Sequence, residues 1–305
     1  MRGKLVFLGT SAGVPTESRS LPSLALVWNG EIILFDVGEG TQHRMIKAQL
    51  SPIKVTKVFI THMHGDHVLG LPGLIMTMSL MKRTQPLEVF GPPGLKNFLN
   101  CLLPTIHEDE ESTKFSIIAN EITQDGLVVS EKDYEVYSIK VKHGIENRAY
   151  KFVEKDRPGK FNEEVAIKLG IPEGPLRKEL IEGKSITLNG KVITPEMVVG
   201  PPRPGFKLVY TGDTAYSENL VEFSRNVDIL VHESTFDSSK EDAAKKVFHS
   251  LASDAAVVAA LSGAKKLILT HFSARYKDAD ILVEDAKRVF KNVVAAEDLM
   301  EIIID

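Results

Sequence analysis

The sequence His62-Met63-His64-Gly65-Asp66-His67 places three imidazoles and one carboxylate within six residues. It follows the apolar run Val58-Phe59-Ile60 and precedes a second apolar stretch. This order predicts a strand, a polar turn and a helix. In an extended turn the first two imidazoles project to the same side, whereas Asp66 and His67 begin the helix and turn toward a second position. The segment can therefore supply ligands to two neighbouring metal ions.

Several other short apolar runs of the β type also end in a polar turn that carries His or Asp. Such runs end before Asp36, Asp213, His232 and His271. Between them lie segments with apolar residues at three- and four-residue spacing, such as 252–261 and 281–290, which predict helices. The pattern predicts an α/β protein with mixed sheets in which several strands deliver polar groups to one edge.

Two metal ions with four ligands each need about eight ligand positions, and the histidine motif supplies four. We expect the others at further strand ends, where His143, Asp213 and His271 are the candidates; Asp213 could bridge both ions with its two oxygens. One site would then consist of His62, His64, His143 and Asp213, and the other of Asp66, His67, His271 and Asp213. Imidazole and carboxylate ligands without thiolate suit two Zn²⁺ ions, with Mn²⁺ or Fe²⁺ as alternatives.

Composition limits the classes of partner. The chain has 37 Lys and Arg against 41 Asp and Glu, a net charge of −4, so it lacks the global positive charge of a protein that coats nucleic acid. Any RNA contact must be a local patch.

The single cysteine and the apolar segments bear on location. Cys101 excludes an intramolecular disulfide and a Cys-rich zinc site, and it is expected to pack in an apolar, helix-like segment. The stretch 1–9 predicts a strand and no signal peptide. The longest weakly polar stretch, 68–81, is shorter than the roughly 20 residues of a membrane span. We expect a cytoplasmic protein without membrane association.

Residues 155–205, named the arm here, differ in composition from the rest of the chain. They hold 7 of the 15 prolines and 7 of the 22 glycines. Nine Lys and Arg against seven Asp and Glu make the arm +2, which leaves −6 for the remainder. Composition alone leaves two interpretations open: a surface insertion without function, or a positively charged arm that contacts a substrate.

The histidine motif with its later candidate ligands resembles the signature of the metallo-β-lactamase fold, and further motifs are similar to those of the ribonuclease Z family. These are Phe7-Leu8-Gly9-Thr10, Asp36-Val37-Gly38-Glu39-Gly40-Thr41-Gln42, His232-Glu233-Ser234-Thr235, His249-Ser250 and Thr270-His271-Phe272-Ser273-Ala274-Arg275-Tyr276. The similarity spans nearly the whole chain. One departure is that the family commonly has Gly-His-Ser-Thr where this chain has Phe248-His249-Ser250-Leu251.

The resemblance implies one metallo-β-lactamase domain over residues 1–305, an αββα sandwich of two mixed sheets with outer helices. The arm would be an inserted, flexible tRNA-binding element. The implied activity is zinc-dependent removal of the 3′ trailer from precursor tRNA, leaving a 3′-hydroxyl on the tRNA and a 5′-phosphate on the trailer. Family members are homodimers in which the arm of one subunit clamps a tRNA that the other subunit cleaves.

The resemblance also implies roles for individual side chains. Asp66 would accept a proton and orient the nucleophile. His249 is the candidate acid for the departing 3′-oxygen, and Glu233 would orient and charge it; alternatively, His249 caps the helix that begins near residue 250. Asp36 would accept a hydrogen bond from a ligand histidine or simply form its turn. His232 is expected to hydrogen-bond a ligand.

Two other functions stay open. One is a different hydrolase of the same fold, acting on a small phosphodiester or a thioester. The other is a non-catalytic RNA-processing scaffold, which is disfavoured because all seven candidate ligand positions are filled. His43 and His107 are given surface or packing roles.

Overall fold

The structure is a computed structural model that describes residues 2–106 and 115–304. His107 lies outside the described residues. The strands are β1 (Gly3–Gly9), β2 (Ser11–Ala12), β3 (Ser23–Trp28), β4 (Glu31–Phe35), β5 (Val55–Phe59), β6 (Leu87–Gly91), β7 (Ile117–Glu121), β8 (Gly126–Ser130), β9 (Tyr134–Lys140), β10 (Arg148–Glu154), β11 (Ile186–Leu188), β12 (Lys191–Ile193), β13 (Lys207–Tyr210), β14 (Ile229–Glu233), β15 (Lys266–Thr270), β16 (Phe272–Ser273), β17 (Val293–Ala295) and β18 (Glu301–Ile304).

The α-helices are α1 (Thr41–Lys47), α2 (Gly65–Val68), α3 (Leu71–Leu80), α4 (Leu95–Ile106), α5 (Glu163–Lys168), α6 (Pro175–Ile181), α7 (Pro195–Val198), α8 (Glu218–Phe223), α9 (Glu241–Val247), α10 (Ala252–Ser262) and α11 (Asp280–Lys287). Short 3₁₀ turns occur at Pro52–Lys54 and Ser238–Lys240. None of the helices within the described ranges is long and apolar enough to cross a membrane.

Two seven-stranded sheets organise the described part of the chain. The first has the order β18, β1, β3, β4, β5, β6, β7, with antiparallel pairs from β18 to β4 and parallel pairs from β4 to β7. The second has the order β17, β15, β14, β13, β10, β9, β8, and its pairs from β13 to β17 are parallel. Parallel neighbours end at the same edge, so the polar turns that follow them gather there.

Strand β4 shows why these strands are apolar on both faces. Its Ile32 and Leu34 belong to a buried cluster with side chains of α1, α3 and α4. Phe35 points the other way, and its ring lies 5.7 Å from the ring of Tyr210 in the second sheet. Helices α8, α10 and α11 cover the outer face of that second sheet. The layers are helices, sheet, sheet and helices, which confirms the predicted αββα sandwich.

Residues 153–206, with 131–135, form a compact unit of their own. Its buried apolar side chains are Ala166, Ile171, Leu180, Ile186, Ile193 and Val198. Strands β11 and β12 form an antiparallel hairpin whose turn residues Asn189 and Gly190 have φ of 50° and 75°. Asn-Gly suits this turn because both positions need positive φ. Helices α6 and α7 begin with proline, whose fixed φ fits the first helical position.

The prediction that Cys101 packs is wrong. The thiol is exposed because Cys101 lies on the outer side of α4, two residues from the buried Leu99.

Candidate metal centre

The histidine motif lies at the end of β5, and its backbone follows the predicted course. His64 is extended, with φ −67° and ψ 147°, and α2 begins at the next residue. His62 and His64 come close enough for their Nε2 and Nδ1 atoms to lie 2.9 Å apart. Asp66 and His67 fall within α2, and Nε2 of His67 is 3.4 Å from Oδ2 of Asp66. One turn thus presents two groups of potential ligands.

The first group is completed by His143, which follows β9. Its Nε2 lies 3.3 Å from Nδ1 of His64, and its Nδ1 lies 3.2 Å from the backbone oxygen of Phe248. A β-bridge between Lys142 and Ala215 brings this turn beside the turn that follows β13. One nitrogen each from His62, His64 and His143 lies within 4.8 Å of the others.

The second group is completed by His271, which follows β15. Its Nε2 is 3.7 Å from Oδ2 of Asp66. Atoms of Asp66, His67 and His271 lie within 4.8 Å of one another. His271 has a φ of 59°, in the left-handed region that residues other than glycine seldom adopt. Such strain is typical of functional sites, where the surrounding structure holds the residue in place.

Asp213 lies between the two groups. Its carboxylate oxygens are 3.6 Å from Nε2 of His62, 3.4 Å from Nε2 of His67 and 3.2 Å from Nε2 of His271. Gly212 allows this approach because a Cβ at that position would lie only 2.7 Å from Cβ of Thr61. The structure therefore brings together all seven residues that the sequence suggested as ligands.

Buried polar atoms in this cluster lack hydrogen-bond partners among the described residues. They are Nε2 of His67, Oδ1 of Asp213 and Nε2 of His271. Leaving such atoms unpaired costs roughly 1–3 kcal/mol each, so a native structure rarely does so without another binding partner. Five imidazoles and two carboxylates are ligands that divalent transition metals accept. The cluster thus fits a divalent metal centre.

In the absence of metal, the electrostatics favour the metal-binding forms of His62 and Asp213 but not of His67, because Asp213 and Asp36 outweigh burial and raise the pKa of His67 well above its usual range. Burial and the charge of His67 lower the pKa of His62 to about 2, so its imidazole is neutral at pH 7. Burial alone would raise the pKa of Asp213, but His271 and His67 outweigh it and hold that pKa well below its usual range. Neutral imidazole and ionised carboxylate are the metal-binding forms.

Asp36 lies beneath the centre and accepts four hydrogen bonds. Nδ1 of His67 is 2.7 Å from its Oδ2, the backbone N–H and hydroxyl of Thr61 donate to it, and so does the hydroxyl of Tyr210 at 3.0 Å. Its turn contacts α2 and the residues that join α2 to α3 closely, because a Cβ on Gly38 would lie 2.7 Å from the backbone oxygen of Asp66, and a Cβ on Gly70 would lie 1.9 Å from the backbone oxygen of Gly38. Of the two interpretations, the contact with a candidate ligand histidine is the one observed.

His249 and Glu233 form a pair beside the candidate ligands. Nδ1 of His249 lies 2.7 Å from Oε1 of Glu233, and the His249 ring stacks on His271 at 5.3 Å. Burial opposes the imidazolium, but the charge and hydrogen bond of Glu233 outweigh it and raise the pKa of His249 to about 9. Helix α10 begins later, at Ala252, and the carboxylate of Asp254 accepts the backbone N–H of Leu251 there. The alternative role of His249 as a helix cap is not observed.

His232 does not hydrogen-bond a candidate ligand, contrary to expectation. Its Nδ1 lies 2.7 Å from the backbone oxygen of Glu233, and its Nε2 has no hydrogen-bond partner among the described residues. Side chains alternate along β14, and Leu230 on the same face packs in the helix-side cluster. His232 therefore faces the helices, whereas Glu233 faces the metal centre.

Sequence reasoning assigns no role to several residues that contact the centre. Thr235 lies against both His271 and Glu233, with its Oγ1 2.8 Å from Nδ1 of His271. The backbone N–H of Gly13 donates to Oδ2 of Asp66 at 3.0 Å. Thr235 ends the motif His232-Glu233-Ser234-Thr235, so its position in the sequence could have indicated a role at the centre. Nothing in the sequence around Gly13 indicates its contact with Asp66, which lies 53 positions away.

Comparison with known proteins gives matches to the first half of the chain and to nearly its whole length. A family model described as "Anti-Pycsar protein Apyc1" matches residues 3–157. Ribonuclease Z of Methanothermobacter thermautotrophicus is 43% identical over 299 residues, which cover 98% of this chain and 96% of that protein. Ribonuclease Z of Nitrosopumilus maritimus is also 43% identical over 299 residues, with 98% and 99% covered.

A solved structure supports the same assignment. The short form of human tRNase Z superposes with a TM-score of 0.72 at 29% identity and covers 99% of both chains. Residues 3–157 thus fit the first family model, and the chain as a whole belongs to the ribonuclease Z family of the metallo-β-lactamase fold.

Proposed function

We propose that this enzyme removes the 3′ trailer from precursor tRNA, leaving a 3′-hydroxyl on the tRNA and a 5′-phosphate on the trailer. As a member of its family, the chain is a metal-dependent hydrolytic endoribonuclease. The observation that supports the specific reaction is the convergence of seven potential metal ligands beside the hydrogen-bonded pair of His249 and Glu233. Hydrolysis of a phosphodiester needs both an activated water and protonation of the departing oxygen, and this arrangement offers residues for each.

The proposed centre holds two Zn²⁺ ions, with Mn²⁺ or Fe²⁺ as alternatives. One ion would be held by His62, His64, His143 and Asp213, and the other by Asp66, His67, His271 and Asp213. When bound, such a pair lowers the pKa of a water molecule and neutralises charge on the phosphodiester. A cytoplasmic location follows from the proposed substrate.

Asp66 and His249 are the proposed carriers of the two protons that the reaction moves. Asp66 orients the attacking water and accepts its proton, with Oδ2 held by the backbone N–H of Gly13. Water forms the new bond to phosphorus, and the bond to the ribose 3′-oxygen breaks. The imidazolium of His249 gives its proton to that oxygen. Glu233 keeps His249 protonated at neutral pH through the 2.7 Å hydrogen bond.

The arm would recognise tRNA by its backbone. It carries a charge of +2 on a chain that is otherwise acidic, and it has a core of its own. Lys and Arg can bind phosphates of A-form RNA without reading the base sequence. A two-metal centre hydrolyses many phosphodiesters, so substrate choice belongs to the arm in this scheme.

The enzyme would act as a homodimer in which the arm of one subunit serves the centre of the other. Leu69, Met76 and Leu80 are proposed as part of the dimer surface, because these apolar side chains recur at seven- and four-residue spacing and all three are exposed, Leu80 by 82%. Light scattering should give the mass of a dimer, and Leu80→Glu should give that of a monomer. Mixing an arm-deleted protein with an Asp66→Ala protein should restore cleavage. A monomeric wild type, or no restoration, would overturn this part of the proposal.

A hydrolase for small phosphodiesters is the second candidate function. The match to the family model described as "Anti-Pycsar protein Apyc1" favours this second candidate, because the matched residues include the histidine motif and His143. That match stops at residue 157, near the beginning of the arm. Activity on a small phosphodiester without any on tRNA would therefore favour this alternative.

The decisive experiment is incubation with a precursor tRNA that has a 3′ extension, with and without a chelator. End-group analysis of both fragments should show a 3′-hydroxyl on the tRNA and a 5′-phosphate on the trailer, only in the absence of chelator. A 2′,3′-cyclic phosphate, or cleavage that persists in the chelator, would contradict the proposal. Adding back Zn²⁺, Mn²⁺ or Fe²⁺ to the chelated protein then ranks the metals by restored activity.

A further inference from the structure

The hydroxyl of Thr61 joins a candidate ligand imidazole to a buried carboxylate. Its Oγ1 lies 2.9 Å from Oδ2 of Asp36 and 3.0 Å from Nδ1 of His62. A hydroxyl has one proton to donate, and a carboxylate can only accept, so the proton goes to Asp36. A lone pair of the hydroxyl then accepts Nδ1–H of His62. Nε2 of His62 is left without a proton where it faces Asp213.

Thr235 has the same arrangement on the other side of the centre. Its Oγ1 lies 2.7 Å from Oε2 of Glu233 and 2.8 Å from Nδ1 of His271. Nδ1 of His249 is 3.3 Å from the same hydroxyl but only 2.7 Å from Oε1 of Glu233, so it donates to Glu233. The hydroxyl therefore receives Nδ1–H of His271, so the neutral form of this ring has its lone pair on Nε2.

Each carboxylate thus holds one imidazole directly and a second through a threonine. Asp36 holds His67 directly, and Glu233 holds His249 directly. Both threonines are buried, with 0% and 5% of their surface exposed, so water does not replace the hydroxyls. The two arrangements differ in one respect. The two imidazoles linked to Asp36, those of His67 and His62, are both proposed metal ligands. Of the two linked to Glu233, His271 is a proposed ligand and His249 is the candidate acid.

We propose that Thr61 and Thr235 are positioning residues that fix the tautomers of His62 and His271, so that Nε2 of each ring presents a lone pair to a metal ion. A neutral imidazole can carry its proton on either nitrogen, and the tautomer with Nε2–H cannot bind a metal through that atom. Thr235 additionally couples the metal centre to the candidate acid through Glu233. The inference rests on the proposed metal centre, although not on the identity of the RNA substrate.

The test compares Thr61→Val and Thr235→Val with the matching serine variants. Valine keeps the shape and removes the hydroxyl, whereas serine keeps the hydroxyl. Thr10→Val is the matched control, because the buried Thr10 hydroxyl donates to Asp298 at 2.8 Å and no imidazole of residues 2–106 and 115–304 is bonded to it. Zinc affinity is measured by competition with a chromogenic chelator. Proton positions on the rings are read by nitrogen-15 NMR of the metal-free protein.

Each valine variant should bind at least one zinc ion about tenfold or more weakly, because outer hydrogen bonds to metal ligands typically contribute that much affinity. The serine variants should stay within about threefold of wild type, and so should Thr10→Val. Wild-type NMR should show Nδ1–H on His62 and His271.

Two results would overturn the inference. One is zinc affinity in both valine variants equal to that of wild type. The other is a neutral ring of His62 or His271 that carries its single proton on Nε2 in the metal-free wild type. This second measurement needs no variant, so it tests the inference even where a valine variant fails to fold. A wild type that binds no zinc at all would instead contradict the proposed function.

Discussion

Nδ1 of His249 lies 2.7 Å from Oε1 of Glu233, and this contact keeps a proton on the imidazole at neutral pH. The backbone N–H of Thr214 and both the N–H and hydroxyl of Thr235 also donate to the Glu233 carboxylate. Glu233 is therefore held in one orientation, with its charge directed at His249.

Glu233→Gln should remove the charge that raises the pKa of His249. In the metal-free wild type, NMR titration of His249 should give a pKa near 9, and in the variant a value at or below about 6.5. Since the folded-state pKa is the higher one, the stability that protonation contributes is fully present below about pH 6.5 and is lost as the pH rises through about 9. Thermal unfolding of the metal-free proteins from pH 6 to 10 should show a larger loss in the wild type than in the variant, since the raised pKa of His67 contributes to both.

The same substitution should slow cleavage. Loss of a positioned general acid typically costs about 100-fold or more in rate, and here the loss should grow with pH. The rate of precursor tRNA cleavage, measured from pH 6 to 9 at saturating substrate, tests this. His232→Gln, which changes a neighbouring buried imidazole on the opposite face of β14, is the control. Equal effects of the two substitutions would mean that Glu233 acts only through packing.

The two aspartates of the centre should differ in what their removal does. Asp213→Ala should remove most of the bound metal, because Asp213 lies within 3.6 Å of nitrogen atoms in three candidate ligands. Asp66→Ala should reduce activity far more than it reduces folding. Elemental analysis of the metal, circular dichroism and cleavage rate distinguish the two outcomes. Fewer than one metal equivalent in freshly purified, active wild type would contradict the two-ion scheme.

Deleting residues 157–203, which make up nearly all of the arm, should separate chemistry from recognition. Arg157 and Arg203 exchange two backbone hydrogen bonds of 2.9 Å, so their backbones are adjacent and a short glycine linker can join residues 156 and 204. The deletion should abolish tRNA cleavage and spare hydrolysis of bis(p-nitrophenyl) phosphate. Retained tRNA cleavage would contradict the recognition role of the arm. Loss of both activities, with metal content intact, would place the arm in the chemistry itself.

Salt should weaken tRNA binding without affecting the chemistry. Phosphate contacts by Lys and Arg release counterions, so affinity should fall at least about tenfold between roughly 50 and 200 mM salt. Turnover of the small phosphodiester should barely change over that range. The slope of tRNA affinity against salt concentration is compared between the wild type and a variant with Lys160, Lys168 and Lys178 changed to Gln. Equal slopes for tRNA affinity in both proteins would argue against these lysines as phosphate ligands.

The chain sequence allows prediction of much of the centre, for a physical reason. Consecutive residues of one turn fix the relative positions of His62, His64, Asp66 and His67, and parallel strands deliver Asp213 and His271 to the same edge. Contacts between distant segments are different. The hydroxyls of Thr61 and Thr235 acquire their roles only through the carboxylates they meet in the folded chain, and the direction of His232 depends on which face of β14 packs on the helices.

The local structure of the arm could not be predicted from its composition. Its proline and glycine content resembles that of an irregular insertion, yet those residues serve defined local conformations. Asn189-Gly190 forms the turn of a hairpin, and Pro175 and Pro195 begin helices. Position-specific turn and cap signals predict this order, whereas composition alone does not.

Phe248 offers a test of local strain beside the centre. Its backbone has φ 57° and ψ 42° at the end of α9, which costs a residue with a Cβ about 1 kcal/mol or more relative to glycine. Phe248→Gly should therefore raise the free energy of unfolding by about 0.5–1 kcal/mol, since the ring is 40% exposed and loses little packing. Phe248→Ala, which keeps the strain and removes the ring, should show no such gain in urea denaturation. Zinc affinity should be unchanged in both, because His143 contacts the backbone oxygen of Phe248 and not its side chain. Both variants lack the ring, so ring removal cannot explain a difference between them. A glycine variant less stable than the alanine variant would therefore show that the left-handed conformation is not a source of strain.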